Sequence, residues 1–361
     1  MKGNGEEVQD KLRVVRGFLA DGLALRLRGI DWFAWITGGG SSAVLLAAET
    51  GIAEVVVTCD GAWVVTDEIE ARRLCDEELP PGLNVRAAAW ASPEARETLT
   101  GQLTKGCSIV SDRPAAGEGR LPEQLLAAKR ILVPAEMERY RRVGRLAAEA
   151  MTEALQTCRP DWSEDALAAA GAGALISRGL APALVMAAGE RRMQLYRHPM
   201  PSSEAVGGMA MLVFCARGCG LYANLTRFVS FTGISSEILE RHRQVLEVEA
   251  KVLELSRPGA DLGSLYQALA EAYLAAGHPQ AIREHHQGGT TGYLSREVLA
   301  TPGSTERIAT GSALAWNPSL AGAKIEDTFL VTGSGLENLT RDPAWPAAEV
   351  AGRERPLVLQ R

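Results

Sequence analysis

Trp316-Asn317-Pro318-Ser319-Leu320-Ala321-Gly322-Ala323-Lys324-Ile325-Glu326-Asp327-Thr328 reads as two closing strands joined by a turn. Asn317 falls on the first strand and Glu326 on the second. An amide and a carboxylate set on neighbouring strands raise the question of a metal cradle, since hard divalent ions are held by oxygen donors. The rest of the chain is read against that question.

At 361 residues the chain suits two domains, each large enough for its own core. Hydrophobic residues make up 46% and charged residues 23%, ordinary for a globular protein. The formal net charge of −6 and the absence of a dense Lys/Arg run argue against nucleic-acid binding. Met1 to Arg16 is polar and lacks the apolar core of a signal peptide. The apolar run from Met209 to Ala216 is too short to span a membrane. Cys59, Cys75, Cys107, Cys158, Cys215 and Cys219 are scattered without CxxC pairs, which speaks against a thiolate zinc site. A reduced, cytoplasmic protein is expected, with neither membrane nor nucleic acid as partner.

Val8 to Ala24 has helical apolar spacing. Trp32 to Thr37 reads as a strand entering the Gly38-Gly39-Gly40-Ser41-Ser42 loop, which lacks the Lys and Ser/Thr of a P-loop and reads as a turn. Ala53 to Thr58 and Ala62 to Thr66, joined through Cys59-Asp60-Gly61, predict a hairpin. Helix and strand signals alternate to about Val133, as in an α/β unit. Pro134 then opens a long helix over Ala135 to Thr157, its charged first half expected to be solvated. The domain boundary is placed here, giving domains 1–133 and 134–361. Beyond it the chain repeats itself. Arg159-Pro160-Asp161-Trp162-Ser163 and Arg257-Pro258-Gly259-Ala260-Asp261 each lead into a capped helix, then into a segment containing His, then into β-rich sequence. This predicts a duplicated α/β half with a site between the halves.

Gly220-Leu221-Tyr222-Ala223-Asn224-Leu225-Thr226-Arg227 matches a Gly-Tyr-x-x-Asp-x-Thr-Arg segment, and Ile325 to Thr332 an Ile-Glu-Asp-Thr-x-x-Val-Thr strand. With His198-Pro199 ahead of the first of these, the chain resembles the creatinase, prolidase and methionine aminopeptidase family, peptidase family M24. The resemblance implies an α/β fold throughout. A creatinase-like N-terminal α/β domain would precede a pita-bread catalytic domain with internal pseudo-twofold duplication. Metallopeptidases of that family hold two metal ions on two Asp, one His and two Glu. Carried over one by one, the first Asp falls on Val213, the second on Asn224, the His on His286 or His285, the first Glu on Asn317 and the last on Glu326. One remaining carboxylate cannot balance two divalent ions. The expectation is therefore no dimetal centre, no metal ligands and no cofactor. A second family histidine has no clear counterpart, with Tyr293 and Arg296 lying nearby.

The precedent within the resemblance is creatinase, which cleaves a C–N bond of a small guanidino compound without metal. The chain is expected to be a metal-independent hydrolase, or related acid/base enzyme, acting on a C–N bond of a small polar nitrogen-containing molecule. His198 would move protons. His286 and Glu326 would position substrate and water, unless Glu326 is simply paired with Arg227 or another base. Asn224 and Asn317 would hydrogen-bond the substrate, with His285, Tyr196, Arg197, Tyr293 and Arg227 as further contacts. A thiol nucleophile at Cys215 or Cys219 is disfavoured, since strand cysteines are mostly packing residues. His242 and His278 are expected at the surface. The alternatives are an Xaa-Pro-type aminopeptidase or dipeptidase with an atypical metal site, and a catalytically silent binding protein. The partners expected are a small-molecule substrate and a second copy of the chain in a homodimer.

Overall fold

The computed structural model describes residues 5–92 and 94–361. The first four residues of the polar N-terminal stretch lie outside them. The chain divides into two compact units. One runs up to Arg130 and takes in Pro134–Arg139 and Cys219–Leu221; the other comprises Ile131–Val133, Tyr140–Gly218 and Tyr222–Arg361.

The first unit is built on six strands: β1 (Leu23–Gly29), β2 (Thr50–Val57), β3 (Ala62–Asp67), β4 (Asn84–Ala88), β5 (Ser108–Ser111) and β6 (Gly119–Arg120). They form one mixed sheet in the order β4-β3-β2-β1-β5-β6. The expected hairpin is β2–β3, antiparallel with Val57 opposite Ala62. The amphipathic helix is shorter than its periodicity suggested, Gly5–Arg16, because β1 takes over the end of that stretch. Trp32 to Thr37, expected as a strand, falls in the helix Ile30–Ile36 and its C-terminal cap Thr37. The helix buries Trp32, Phe33, Trp35 and Ile36 together, and a run apolar on every face carries no period to distinguish helix from strand. Gly38 and Gly39 make a left-handed turn, and the Ser41 amide donates to Glu78 at 2.7 Å, so a carboxylate stands where a phosphate would need to be.

The long helix is Pro134–Thr157, as Pro at its first position requires. Its charged start is not simply solvated. Glu136 and Arg139 are buried, Glu136 2.6 Å from Lys11 and Arg139 2.6 Å from Glu7. Burial of such charges is tolerated because each finds an opposite one.

The second unit consists of two matching halves. In each, a capped helix follows an Arg-Pro turn. The Ser163 hydroxyl accepts from the Ala166 amide at the start of Glu164–Ile176, and the Asp261 carboxylate from the Ser264 amide at the start of Leu262–Ala275. Each cap residue also makes one isolated antiparallel bridge, Ser163 with Ala205 and Asp261 with Arg307. The first half adds β7 (Ala181–Gly189), β8 (Met209–Gly218) and β9 (Leu221–Ser230). The second adds β10 (Gly288–Thr291), β11 (Val298–Leu299), β12 (Ala313–Trp316), β13 (Ser319–Leu320), β14 (Ala323–Lys324), β15 (Asp327–Thr332) and β16 (Gly335–Asn338). Three short C-terminal strands follow: β17 (Ala347–Val350), β18 (Arg353–Pro356) and β19 (Leu359–Gln360). The sheets run β19-β9-β8-β7 and β11-β10-β12-β15-β16.

Each half has its own apolar core, one gathered around Phe214 and Leu225, the other around Trp316 and Phe329. Among the described residues, one isolated antiparallel bridge, Thr226 to Glu326, links the two sheets. The halves therefore meet at the residues singled out as the candidate site.

Candidate active site

The closing segment forms the strand–turn–strand its sequence predicts, with a break. β12 pairs with β15 up to Trp316 opposite Asp327, and β13 pairs with β14 beyond. Asn317 and Glu326 sit at the break, where neither is committed to the ladder with the other. The Asn317 amide donates instead to the Gln287 carbonyl at 3.1 Å. Gln287 in turn donates to the His285 carbonyl at 2.6 Å and accepts from the Tyr273 hydroxyl at 3.0 Å. This buried chain of hydrogen bonds fixes the segment before β10 that carries His285 and His286.

Glu326 is buried and fully occupied. Arg296 Nη2 donates to its Oε1 at 2.5 Å, Thr226 Oγ1 donates to its Oε2 at 3.0 Å, and Lys324 Nζ stands 3.7 Å from the same Oε2. Burial would push its pKa up, but Lys324, Arg296 and the two hydrogen bonds outweigh burial and hold it below the usual carboxylate range. Burial, with help from Arg296, lowers the pKa of Lys324 against the pull of Glu326. One carboxylate thus faces two cationic side chains.

The three histidines converge. His198 Nε2 and His285 Nε2 are 2.8 Å apart, and the rings of His285 and His286 stack at 4.5 Å with 23° between planes. His285 is buried, whereas His198 and His286 are exposed. All three pKa values lie below the ordinary imidazole value. Burial is the first cause in each, reinforced by Lys324 and Arg296, and His286 falls to about 4. Neutral imidazoles are the result. Among the described residues, no hydrogen bond joins His198 or His286 to Glu326, but both lie within range of its charge.

Asn224, buried on β9, donates through Nδ2 to Thr291 Oγ1 at 3.0 Å. Its Oδ1 and that of Asn317 are buried with no hydrogen-bond partner among the described residues. Val213 packs in an apolar cluster with Met186, Met211 and Phe228. Cys215 has its pKa pushed up to about 12 by burial and by the charge of Glu326, so its thiol stays protonated and is no nucleophile.

Other expected contacts lie elsewhere. Arg227 turns away from the Glu326 carboxylate to Asp327 at 2.6 Å and to the Thr340 carbonyl at 3.0 Å, a buried structural role. Tyr293 is wholly buried rather than on a rim. Arg197 pairs with Glu284 at 2.5 Å, and exposed Tyr196 stacks under Arg192. His242 is not a surface residue. It packs edge-on to Phe228 with its pKa pushed down to about 4 by burial.

The sequence reading missed Lys324, and it left Arg296 without a role. A signal for Lys324 exists, since it lies two residues from Glu326 in extended chain and so on the same side. Nothing in the sequence places Arg296, 30 positions away, on that carboxylate.

The residues present do not fit a two-metal centre. Val213 offers no donor atom, Asn224 and Asn317 offer neutral oxygens, and the one carboxylate is taken by Arg296 and Lys324.

No helix of the described residues is long and apolar enough to cross a membrane. No curated protein matches the chain. Among solved structures it is similar to an X-Pro aminopeptidase from Thermotoga maritima MSB8, at 17% identity and a TM-score of 0.77, over 98% of this chain and 100% of that one. An Xaa-Pro dipeptidase from Bacillus anthracis gives 16% identity and a TM-score of 0.79 over the same shares. The N-terminal domain of the FACT complex subunit SPT16 from Eremothecium gossypii gives 12% identity and a TM-score of 0.67, over 93% of this chain and 96% of that one. At such identities the likeness speaks for the fold, the pita-bread architecture of the prolidases. The family model for metallopeptidase family M24 matches residues 138–333, more than half of the chain, and with the two-half fold and its closing segment this makes the chain a member of that family.

Proposed function

We propose that the chain is an M24-type hydrolase that works without the two-metal centre, cleaving a C–N bond of a small polar nitrogen-containing molecule by histidine acid/base chemistry. The observation that carries this reading is the pairing of Glu326 with Arg296 and Lys324. Two basic side chains stand beside the carboxylate that metal ions would need.

In this reading His198, exposed and neutral, takes a proton from water as the water oxygen adds to the carbon of the scissile C–N bond. Charge developing on the former carbonyl oxygen, or on its nitrogen counterpart, is met by the positive charge that Arg296 and Lys324 hold in excess of Glu326. The imidazolium of His198 then returns its proton to the leaving nitrogen as the C–N bond breaks. His285, 2.8 Å from His198 through Nε2, fixes the ring that moves the proton. The free Oδ1 atoms of Asn224 and Asn317 accept N–H groups of the substrate, which suits an amide or guanidine. By the same family reading, the working unit is a homodimer.

The test is a screen of small amides and guanidines with the purified chain and with its His198→Ala variant. Turnover that falls by about 100-fold or more in the variant, within the span of general acid/base catalysis, is expected. Turnover indifferent to the substitution, or none on any such compound, would leave the silent binding protein as the better reading.

A further inference from the structure

We infer that His198, His285 and His286 form a mononuclear site for a borderline-soft divalent ion of the zinc class, and that filling it blocks proton transfer by His198. The binding half stands on geometry alone. The inhibitory half also rests on the function proposed above.

Each of the three imidazoles offers one nitrogen, and these nitrogens all lie within 4.8 Å of one another. The close approach of His198 Nε2 and His285 Nε2 adds a second observation. Two ring nitrogens at 2.8 Å can share only one proton, so one of them already points a lone pair into the gap. An ion with bonds of about 2.0–2.1 Å in tetrahedral geometry sets its ligand nitrogens roughly 3.3 Å apart. Replacing the shared proton by such an ion therefore opens the pair by only about half an ångström. His286, stacked on His285, supplies the third donor. The exposure of His198 and His286 gives the ion a path in and leaves room for a fourth ligand from solvent.

The site shares with the family's position only the one histidine that the resemblance carries over, His286 or His285, and takes its other donors from the remaining two imidazoles. It holds no carboxylate, because Glu326 is engaged by Arg296 and Lys324. Three nitrogen donors and no anionic oxygen select zinc, copper, nickel or cobalt over magnesium, calcium or manganese. The unbalanced positive charge of Arg296 and Lys324 weakens the site and favours reversible binding over permanent occupancy. With Nε2 on the ion, His198 would have to carry its own proton on Nδ1 and could no longer accept one from water.

The test is equilibrium dialysis of the metal-stripped full chain against zinc chloride and, separately, manganese chloride, with metal content measured. Cobalt absorption spectra report the ligand type. We expect one zinc per chain, no stoichiometric manganese, and cobalt bands without thiolate charge transfer. We expect a Kd for zinc raised at least about 10-fold in His198→Ala and in His286→Ala, both exposed positions that leave the core untouched. Zinc binding that persists in both variants, cobalt bands of thiolate type, or equal uptake of manganese would overturn the site. If zinc fills the site but turnover of a substrate from the screen is unchanged, the inhibitory half fails and His198 is not the proton carrier, while the site itself stands.

Discussion

Glu326 is the residue on which the candidate site is centred. It remains a carboxylate, but its charge is answered by the side chains of Arg296 and Lys324. Removing that charge leaves the buried Lys324 and the half-buried Arg296 without this partner. Glu326→Gln is therefore expected to destabilise the fold by roughly 3–5 kcal/mol, read as a lowered urea midpoint. Adding Lys324→Met to that variant removes one of the orphaned charges and is expected to restore part of the loss. A Glu326→Gln variant as stable as the parent would mean that the carboxylate is not an anchor for the two cations. At this level the sequence told half of the story. The resemblance sets the amides Asn224 and Asn317 where the family has carboxylates, and that much is visible in the chain. Arg296 and Lys324, the cations on Glu326, do not announce themselves, because a lone Arg or Lys is ambiguous until the fold brings its partner near.

At the level of elements, the duplication was legible because its signals are local. The Arg-Pro turns, the capping Ser163 and Asp261, and the helices after them are all read within a dozen residues. The short helix Ile30–Ile36 was not legible, since an all-apolar run has the same pattern in helix and strand once every face is buried. Gly288 and Gly289 belong to β10, pressed against β12. Gly288 has φ +98°, and a Cβ there would lie 2.0 Å from the Ala315 carbonyl oxygen. Gly288→Ala is expected to cost roughly 2–5 kcal/mol, from left-handed strain and overpacking together. The check is thermal unfolding by circular dichroism. A variant unfolding at the parent temperature would contradict the close approach of the two strands on which the histidine segment depends.

The whole molecule carries a set of imidazoles held neutral by burial, which gives a sign to its acid stability. His242 has a folded-state pKa of about 4, below the ordinary value near 6.5 of an unfolded chain. The unfolded state therefore binds more protons between those values. Stability is fully present above about pH 6.5 and is lost as pH falls toward 4. The loss from His242 is at most about 3 kcal/mol, the free-energy equivalent of the gap between its folded and unfolded pKa values. Urea midpoints measured across this range should fall with acidity, and less steeply in His242→Gln. An equal slope in the variant would mean that His242 is not buried neutral. The two-half layout of the second unit was visible from repetition in the chain. What the halves enclose was visible only in part, because a site between sheets is assembled from β9, β10, the turn after it and the closing strands at once. The most direct measurement is the rate of C–N hydrolysis on a substrate from the screen, before and after exhaustive chelation, with metal content determined on the same samples. Undiminished turnover at substoichiometric metal is predicted. Turnover that vanishes on chelation and returns only with stoichiometric manganese or zinc would contradict it.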